Sequence, residues 1–526
     1  MGRQNNGTNQ WMNVSRRRLL QGATAVGAVA LAGPLGAGKA AAQPKRGGRL
    51  RVGIGHGSTS DSYDPAVWDQ VFVQVFATAR HGYLTEIAAD GSLVGEVAES
   101  WEASPEATVW TLKIRDGLAF HSGKSVTAED VIASLNHHRG EESKSAAKPI
   151  VAGIVDMQAE GTNAVVVTLD AGNADFPFIL SDYHLPIMPS ADGKIDPASS
   201  DGCGGYVVES FEPGVRAALK RNPNYWKTGR AHFDEIELLV ILDAAARQNA
   251  LITGEVDLID KVDLNTVHLL KRARNVEVLA TTGTQHFTFA MDTRAAPFSD
   301  NNVRQALKYA IDRQELVDKV LNGYGDIGND HPISKSQRYY AANLEQHSYD
   351  PDKAKYFLKQ AGLSSLDVSL SAADAAFAGA VDAGVLYSEK AAAAGININV
   401  VREPGDGYWS NVWMKKPWSA VYWGGRPTED WMFSTAYASG AAWNDTFWEH
   451  DRFNKLLKEA RSELDDAKRR AMYEEMQGIV SNEGGVVIPM FAAYVMAYSD
   501  KVAHPDQVGA NWTLDGFRAI ERWWFA

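Results

Sequence analysis

The chain has 526 residues, of which 45% are hydrophobic and 22% charged, the balance of an ordinary globular protein with a sizeable core. Its length predicts about three or four domains. With 65 acidic against 52 basic side chains its net charge is −13, which repels phosphate backbones and argues against a nucleic-acid partner.

The charge is unevenly placed. The first 42 residues carry Arg3, Arg16, Arg17, Arg18 and Lys39 and no acid, so removing those five positive charges from −13 leaves −18 for the rest. Ser15-Arg16-Arg17-Arg18-Leu19-Leu20-Gln21 has the twin-arginine export pattern. A weakly apolar Ala/Gly stretch follows from Gly22 to Gly38, and Ala40-Ala41-Ala42 offers a small-residue cleavage site. Gly and Pro dilute the apolar run too much for a membrane anchor. The expectation is a signal peptide at 1–42, read by the twin-arginine translocase, and a free periplasmic protein. Cys203 is the single cysteine, so no intramolecular disulfide forms, which fits folding in a reducing cytoplasm before export. No cysteine stands near the cleavage site, so no lipid anchor is expected.

Gly48 to Gly55 reads as a first strand entering a Gly-rich loop. Gly53-Ile54-Gly55-His56-Gly57 lacks the G-x-G-x-x-G spacing of a dinucleotide loop, and Asp64-Pro65 follows instead of a helix. Trp110 to Arg115 alternates apolar and polar residues, predicting a half-buried strand with Trp110, Leu112 and Ile114 inward. Asp116-Gly117 and Ser122-Gly123 are turn signals, and His121 fits the same turn. Thr127 with Asp130 three residues on matches a capping box, and Val126 with Val131 a hydrophobic staple. The stretch from Phe120 to Val131 therefore reads as the punctuation between a strand and a helix. His137 and His138 are adjacent on that helix, with rings about 100° apart, which predicts surface residues rather than a metal site.

Further along, Leu219 to Tyr225 and Glu235 to Leu242 read as strands. Val303 to Val320 has helical apolar spacing, Ala372 to Ala394 reads as a small-residue helix, and Phe453 to Leu464 and Ala467 to Val480 are two amphipathic helices. Strands alternating with helices make the fold mixed α/β. Three β-lactamase-like tags occur: Ser145-Ala146-Ala147-Lys148, Lys227-Thr228-Gly229 and Ser299-Asp300-Asn301. The second and third are in the wrong order for that enzyme class, and they read instead as a polar loop, a turn and a helix N-cap. An exported serine hydrolase is the reading they would support.

Seven of the fifteen tryptophans fall between Trp409 and Trp448, joined by Tyr408, Tyr422 and Tyr437. As a cluster in Gly-rich loops they suit the lining of a cleft, with Trp409, Tyr408, Tyr422, Trp423 and Trp443 as candidates. Gly424 and Gly425 allow close approach beside them. Ser58 to Tyr63, after the first strand, lies where an open sheet holds its ligand loops.

Four segments in order carry a family resemblance: "TVWTLKIRDGLAFHSGKSVTAEDVIAS", "GYVVESFEPGVRAALKRNPNYWK", "PFSDNNVRQALKYAIDRQELVDKVLNGYG" and "RFNKLLKEARSELDDAKRRAMYEEMQGIVSNEGGVVIPMF". The chain resembles the family 5 extracellular solute-binding proteins, the oligopeptide-, dipeptide- and nickel-binding receptors of ABC importers. The resemblance implies the two-lobed periplasmic-binding-protein fold, type II, with an extra domain and a cleft between lobes that close over the ligand. It implies a discontinuous domain I at 48–91, 200–291 and 489–526, a domain II at 92–199 and a domain III at 292–488. It also implies a monomer without catalysis, cofactor or resident metal, whose partners are a peptide or other small-molecule ligand and the membrane subunits of the importer. A metal or metal-chelate receptor of the same fold is the alternative.

In peptide-binding members the segment after the cluster resembles W-x-x-D or W-x-G-D, and the acid anchors the ligand ammonium. Here "WGGRPTEDWMF" puts Arg426 at that position. A guanidinium suits a carboxylate or phosphate, not an ammonium. Three readings stay open: Arg426 anchors an anionic or mixed-charge small solute, Glu429 or Asp430 supplies the acid for a peptide in a shifted register, or Arg426 pairs with one of those acids as a structural bridge. Tyr206 and the Gln285-His286 pair are further cleft candidates by place.

Overall fold

The computed structural model describes residues 44–526; the proposed signal peptide at 1–42 lies outside the described residues. An 11-stranded mixed sheet forms the backbone of the molecule. Its order is Tyr206–Glu212, Arg216–Arg221, Glu235–Val240, Arg49–Ile54, Leu258–Ile259, Val486–Ser499, Val276–Met291, Trp418–Trp423, Leu366–Ala372, Ile396–Arg402, with Gly325–Ile327 paired onto Val486–Ser499.

Two long strands join the halves. Val276–Met291 and Val486–Ser499 run antiparallel, from the pair Val276 and Ser499 at one end to Ala290 and Val486 at the other. At the first end Leu258 pairs with Tyr498; at the second Phe289 pairs with Ala420. Each half has its own apolar core. One gathers Leu50, Val52, Phe72, Phe76, Leu238 and Trp523, and the other Phe289, Leu307, Leu370, Tyr387 and Trp418. The ladder between the long strands is irregular from Thr282 to His286, midway between the two cores.

A separate four-stranded antiparallel sheet, Ala98–Ala103, Val109–Ile114, Ala164–Leu169 and Ile154–Glu160, has a third core. Trp110, Leu112 and Ile114 face into it, as their alternation predicts. The helix Ala128–Asn136 starts at the predicted box: the Thr127 backbone N–H donates to the Asp130 carboxylate at 2.9 Å. Asp130 also accepts from the Ser190 backbone N–H and hydroxyl, and from Lys124. The polar run at 120–131 is thus consumed by helix initiation and loop anchoring. Cys203 is buried here, and burial pushes its thiol up to about 12.

Several local expectations need correction. The helix expected over Val303 to Val320 is two helices, Asn301–Tyr309 and Arg313–Val320, because the Asp312 side chain accepts from the Glu315 N–H and caps the second. The Ala/Gly-rich stretch begins as the end of the strand Leu366–Ala372, and its helix starts only at Ala380. His138 is buried, not on the surface; its Nδ1 lies 2.6 Å from the hydroxyl of Ser145, which is buried with it rather than in a polar loop. Lys148 of the same tag turns away to the Glu141 carbonyl. Lys227 is no simple turn residue: its ammonium is buried against Glu86, Glu96 and Glu521.

Candidate functional site

A cavity of about 860 Å³ opens where the sheet halves and the four-stranded domain meet. Its walls come from 87–93, 174–178, 335–339, 426–429, 463–469 and 507–512, with Thr284 from the irregular part of the long-strand ladder. Among the sequence candidates, only Arg426 and Glu429 line it.

The strand Trp418–Trp423 ends at Gly424-Gly425 and delivers Arg426 into the cavity. A Cβ at Gly425 would collide with the Thr284 hydroxyl, so glycine is required for the strand end to pass the neighbouring one. The Arg426 Nη1 donates to the Gly424 and Gly425 carbonyls at 3.3 and 3.1 Å. Among the described residues no carboxylate comes within ion-pair distance of it. Burial pulls its proton affinity down, while Tyr183 and Asp182 act against that from longer range. The structural bridge from Arg426 to Glu429 or Asp430 does not form.

The two acids face different ways because they sit next to each other at the start of the helix Glu429–Ala436, capped by the Thr428 hydroxyl. Glu429 faces the cavity, and its Oε1 accepts the Tyr339 backbone N–H at 2.7 Å. Burial raises its pKa to about 7. Asp430 turns into a second cavity of about 280 Å³ and pairs with Arg461 at 3.2 Å. Burial lifts it to about 6, against the pull of Arg461.

Arg469, from the helix Asp466–Glu483, crosses to Asp175 of the four-stranded domain at 2.9 Å, both side chains being buried. Burial opposes its charge, but Asp175 more than compensates and raises its pKa. Beside this pair the Ala174 N–H donates to the Arg461 carbonyl at 2.7 Å.

Behind the residues 87–93 lies a buried ionic network. Lys227 Nζ is 2.6 Å from Glu86, 2.8 Å from Glu96 and 3.2 Å from Glu521. Arg518 bonds Glu96 at 2.8 Å and Glu521 at 2.9 Å, and Arg522 bonds Glu86 and Asp515, each at 2.8 Å. Arg522 also donates to the carbonyl of Ile87, itself a cavity residue. Burial would raise Glu521, but Lys227 and Arg518 hold it down at about 2.

The remaining candidates have other surroundings. Trp409, Tyr422 and Trp443 are 40%, 43% and 49% exposed and lie outside the cavity: Trp409 meets Tyr422 and Trp413 edge-on, and Trp443 packs on Trp413 and Trp423. Tyr408 is buried and donates to the Ala420 carbonyl. Ser58 hydrogen-bonds Ser60, Tyr63 packs on Phe76 and Phe211 beneath the Arg80 guanidinium, and Tyr206 donates to the Ile520 carbonyl. His286 is fully buried, and Thr284, two residues before it, meets the cavity instead, as does neither Gln285 nor His286. Sequence reasoning missed Asp175, Thr428, Tyr339 and Arg469. Thr428 was legible as a helix cap, but nothing local marks the others. Among the described residues no group of three His, Cys, Asp or Glu side chains is placed to hold a metal ion.

A cavity enclosed between two halves that share long connecting strands defines a two-lobed binding protein. The chain belongs to the bacterial extracellular solute-binding proteins, family 5, whose middle region matches residues 92–445. The glutathione-binding protein GsiB of Escherichia coli is 24% identical over 467 residues, 85% of this chain and 90% of GsiB. Heme-binding protein A of Haemophilus influenzae is 29% identical over 293 residues, a match that spans 51% of this chain and 53% of that protein. The solved structure of HbpA2 from Haemophilus parasuis superposes with a TM-score of 0.81 at 18% identity, covering 91% of this chain and 100% of the other. That of AgaA from Agrobacterium tumefaciens in complex with agropinic acid gives 0.70 at 23%, covering 91% and 99%.

Proposed function

We propose that this protein is a periplasmic receptor that captures a small peptide-like solute through its carboxylate and delivers it to the membrane subunits of an ABC importer, catalysing no reaction itself. The observation that carries this is Arg426, a guanidinium in a cavity wall with carbonyl partners only. A half-buried cation that has, among the described residues, no carboxylate at ion-pair distance is costly, and a ligand carboxylate supplies the missing charge in a geometry that matches the guanidinium fork. Glu429 is the acid on the cavity side, available to a ligand ammonium. Glutathione, in GsiB's name, and agropinic acid, bound by AgaA, are both acids, which supports the same chemistry.

The two lobes close over the solute as a hinge motion about the long strands. What supports a domain I at 48–91, 200–291 and 489–526, a domain II at 92–199 and a domain III at 292–488 is the separation of the apolar cores. Export by the twin-arginine translocase rests on the pattern at Ser15 to Gln21, and a monomeric state completes the reading.

The test is calorimetric titration of residues 43–526 with glutathione, dipeptides, their C-terminal amides, small dicarboxylates and metal chelates. Carboxylate-bearing peptides bind and their amides do not, and Arg426→Ala weakens carboxylate binding by about 30-fold or more while the fold is kept. Equal binding of acid and amide, or binding of metal chelates alone, overturns the reading.

A further inference from the structure

The second cavity, of about 280 Å³, lies between the four-stranded domain and the helices that follow Arg426. Its surface is largely apolar: Ile150, Ile154, Leu169, Phe176 and Ile179 on one side, Trp431 on the other. It shares two lining residues with the 860 Å³ cavity, Asp175 and Thr428, so the two spaces meet across those side chains. Thr428 is two residues from Arg426, a Cα span of at most about 7 Å. That is the reach of about two residues of an extended peptide.

Asp175, at the shared wall, has an unused acceptor. Its Oδ1 takes Arg469, while its Oδ2 is buried without a hydrogen-bond partner, the side chain being 6% exposed. A buried carboxylate oxygen left bare costs free energy until a donor reaches it. In a wall between two ligand-sized spaces the fitting donor is an N–H group of the solute itself.

Resting on the peptide-like reading above, we propose that this second cavity is an apolar subsite of the same solute. It receives an aliphatic or aromatic side chain, up to the size of a benzyl group, from the residue preceding the carboxylate held by Arg426. The N–H of that residue donates to Asp175 Oδ2. Because the walls belong to both sides of the cleft, filling the subsite also holds the cleft shut. The preferred solutes are therefore short peptides or acylated amino acids whose penultimate residue is apolar.

The test is titration with Ala-Ala, Leu-Ala and Phe-Ala. Removing a Leu- or Phe-sized group from water corresponds to about a ten- to hundredfold gain, so Leu-Ala and Phe-Ala bind more tightly than Ala-Ala by that factor. Ile179→Trp fills the cavity and erases the preference for Leu-Ala and Phe-Ala over Ala-Ala; its folding is checked by its unfolding midpoint. Trp431→Ala, which opens the opposite wall, reduces the gain independently. Equal affinities across the three dipeptides in the unmodified protein, or a preference that survives Ile179→Trp, overturns the subsite alone. No binding of any dipeptide overturns the peptide reading and the subsite with it.

Discussion

Two charged regions lie back to back in this protein and behave oppositely. In the network of Glu86, Glu96, Lys227, Arg518, Glu521 and Arg522 every charge has partners of the other sign within hydrogen-bond distance. In the cavity wall, among the described residues, Arg426 hydrogen-bonds carbonyls only, and Glu429 has one backbone donor and a pKa lifted to about 7. The residue types are the same. The difference is that the first set is closed within the chain, while the second leaves its counter-charges to be supplied from outside. Closed charge sets fix a geometry; open ones hold binding capacity at a cost to the empty protein.

The sharpest way to break this contrast is to open the network. Lys227→Met strips three buried carboxylates of a shared cation and is expected to cost about 3–5 kcal/mol of stability, read from denaturant unfolding. A loss below about 1 kcal/mol would mean that the network is not closed. Next in size, Arg426→Ala is expected to weaken carboxylate-solute binding by about 2–4 kcal/mol, measured by calorimetry. It leaves the empty protein's midpoint unchanged or slightly raised, since no ion pair is lost.

Glu429 gives the pH test. Its pKa is raised in the fold, so the folded state holds its proton more tightly than the unfolded chain. Its contribution is unfavourable as pH rises from the ordinary carboxylate range through about 7, by about 3 kcal/mol at most. Glu429→Gln is expected to flatten the fall in stability between pH 5 and 8, followed by unfolding midpoints across pH. If Glu429 receives a ligand ammonium, affinity for free-amino peptides rises through pH 7 in the unmodified protein and not in the variant. Pure carboxylate anchoring at Arg426 leaves affinity flat over that range. The smallest effect is expected on the exposed aromatic patch: Trp409→Ser changes both stability and solute affinity by less than about 1 kcal/mol. A large loss of affinity there would move the binding site out of the cavity.

The strand at Val109–Ile114 and the Thr127–Asp130 helix start were readable from the chain because period-2 burial and capping are local. Arg426 and Glu429 were readable as candidates because a motif position and two glycines single them out. The aromatic cluster misled for a physical reason. Large rings in Gly-rich loops suit a cleft and a surface equally, and sequence carries no sign of which side of a strand end faces the other lobe. Asp430 against Glu429 shows the same limit, since one residue's rotation about a helix axis decides which cavity each acid meets. Lys227 was hidden because its three partners stand 131 to 294 residues away in the chain.

The sequence by itself therefore determined the mixed α/β class, the family, the helix starts and the arginine that follows the two glycines at the end of a strand, since each rests on neighbouring residues. Only the tertiary structure decided which charges are closed into pairs and which remain open. It also decided that Asp175 and Arg469 meet and that a second apolar cavity adjoins the first. Those outcomes depend on contacts between segments hundreds of residues apart, where long-range packing, not local pattern, sets the distance between side chains.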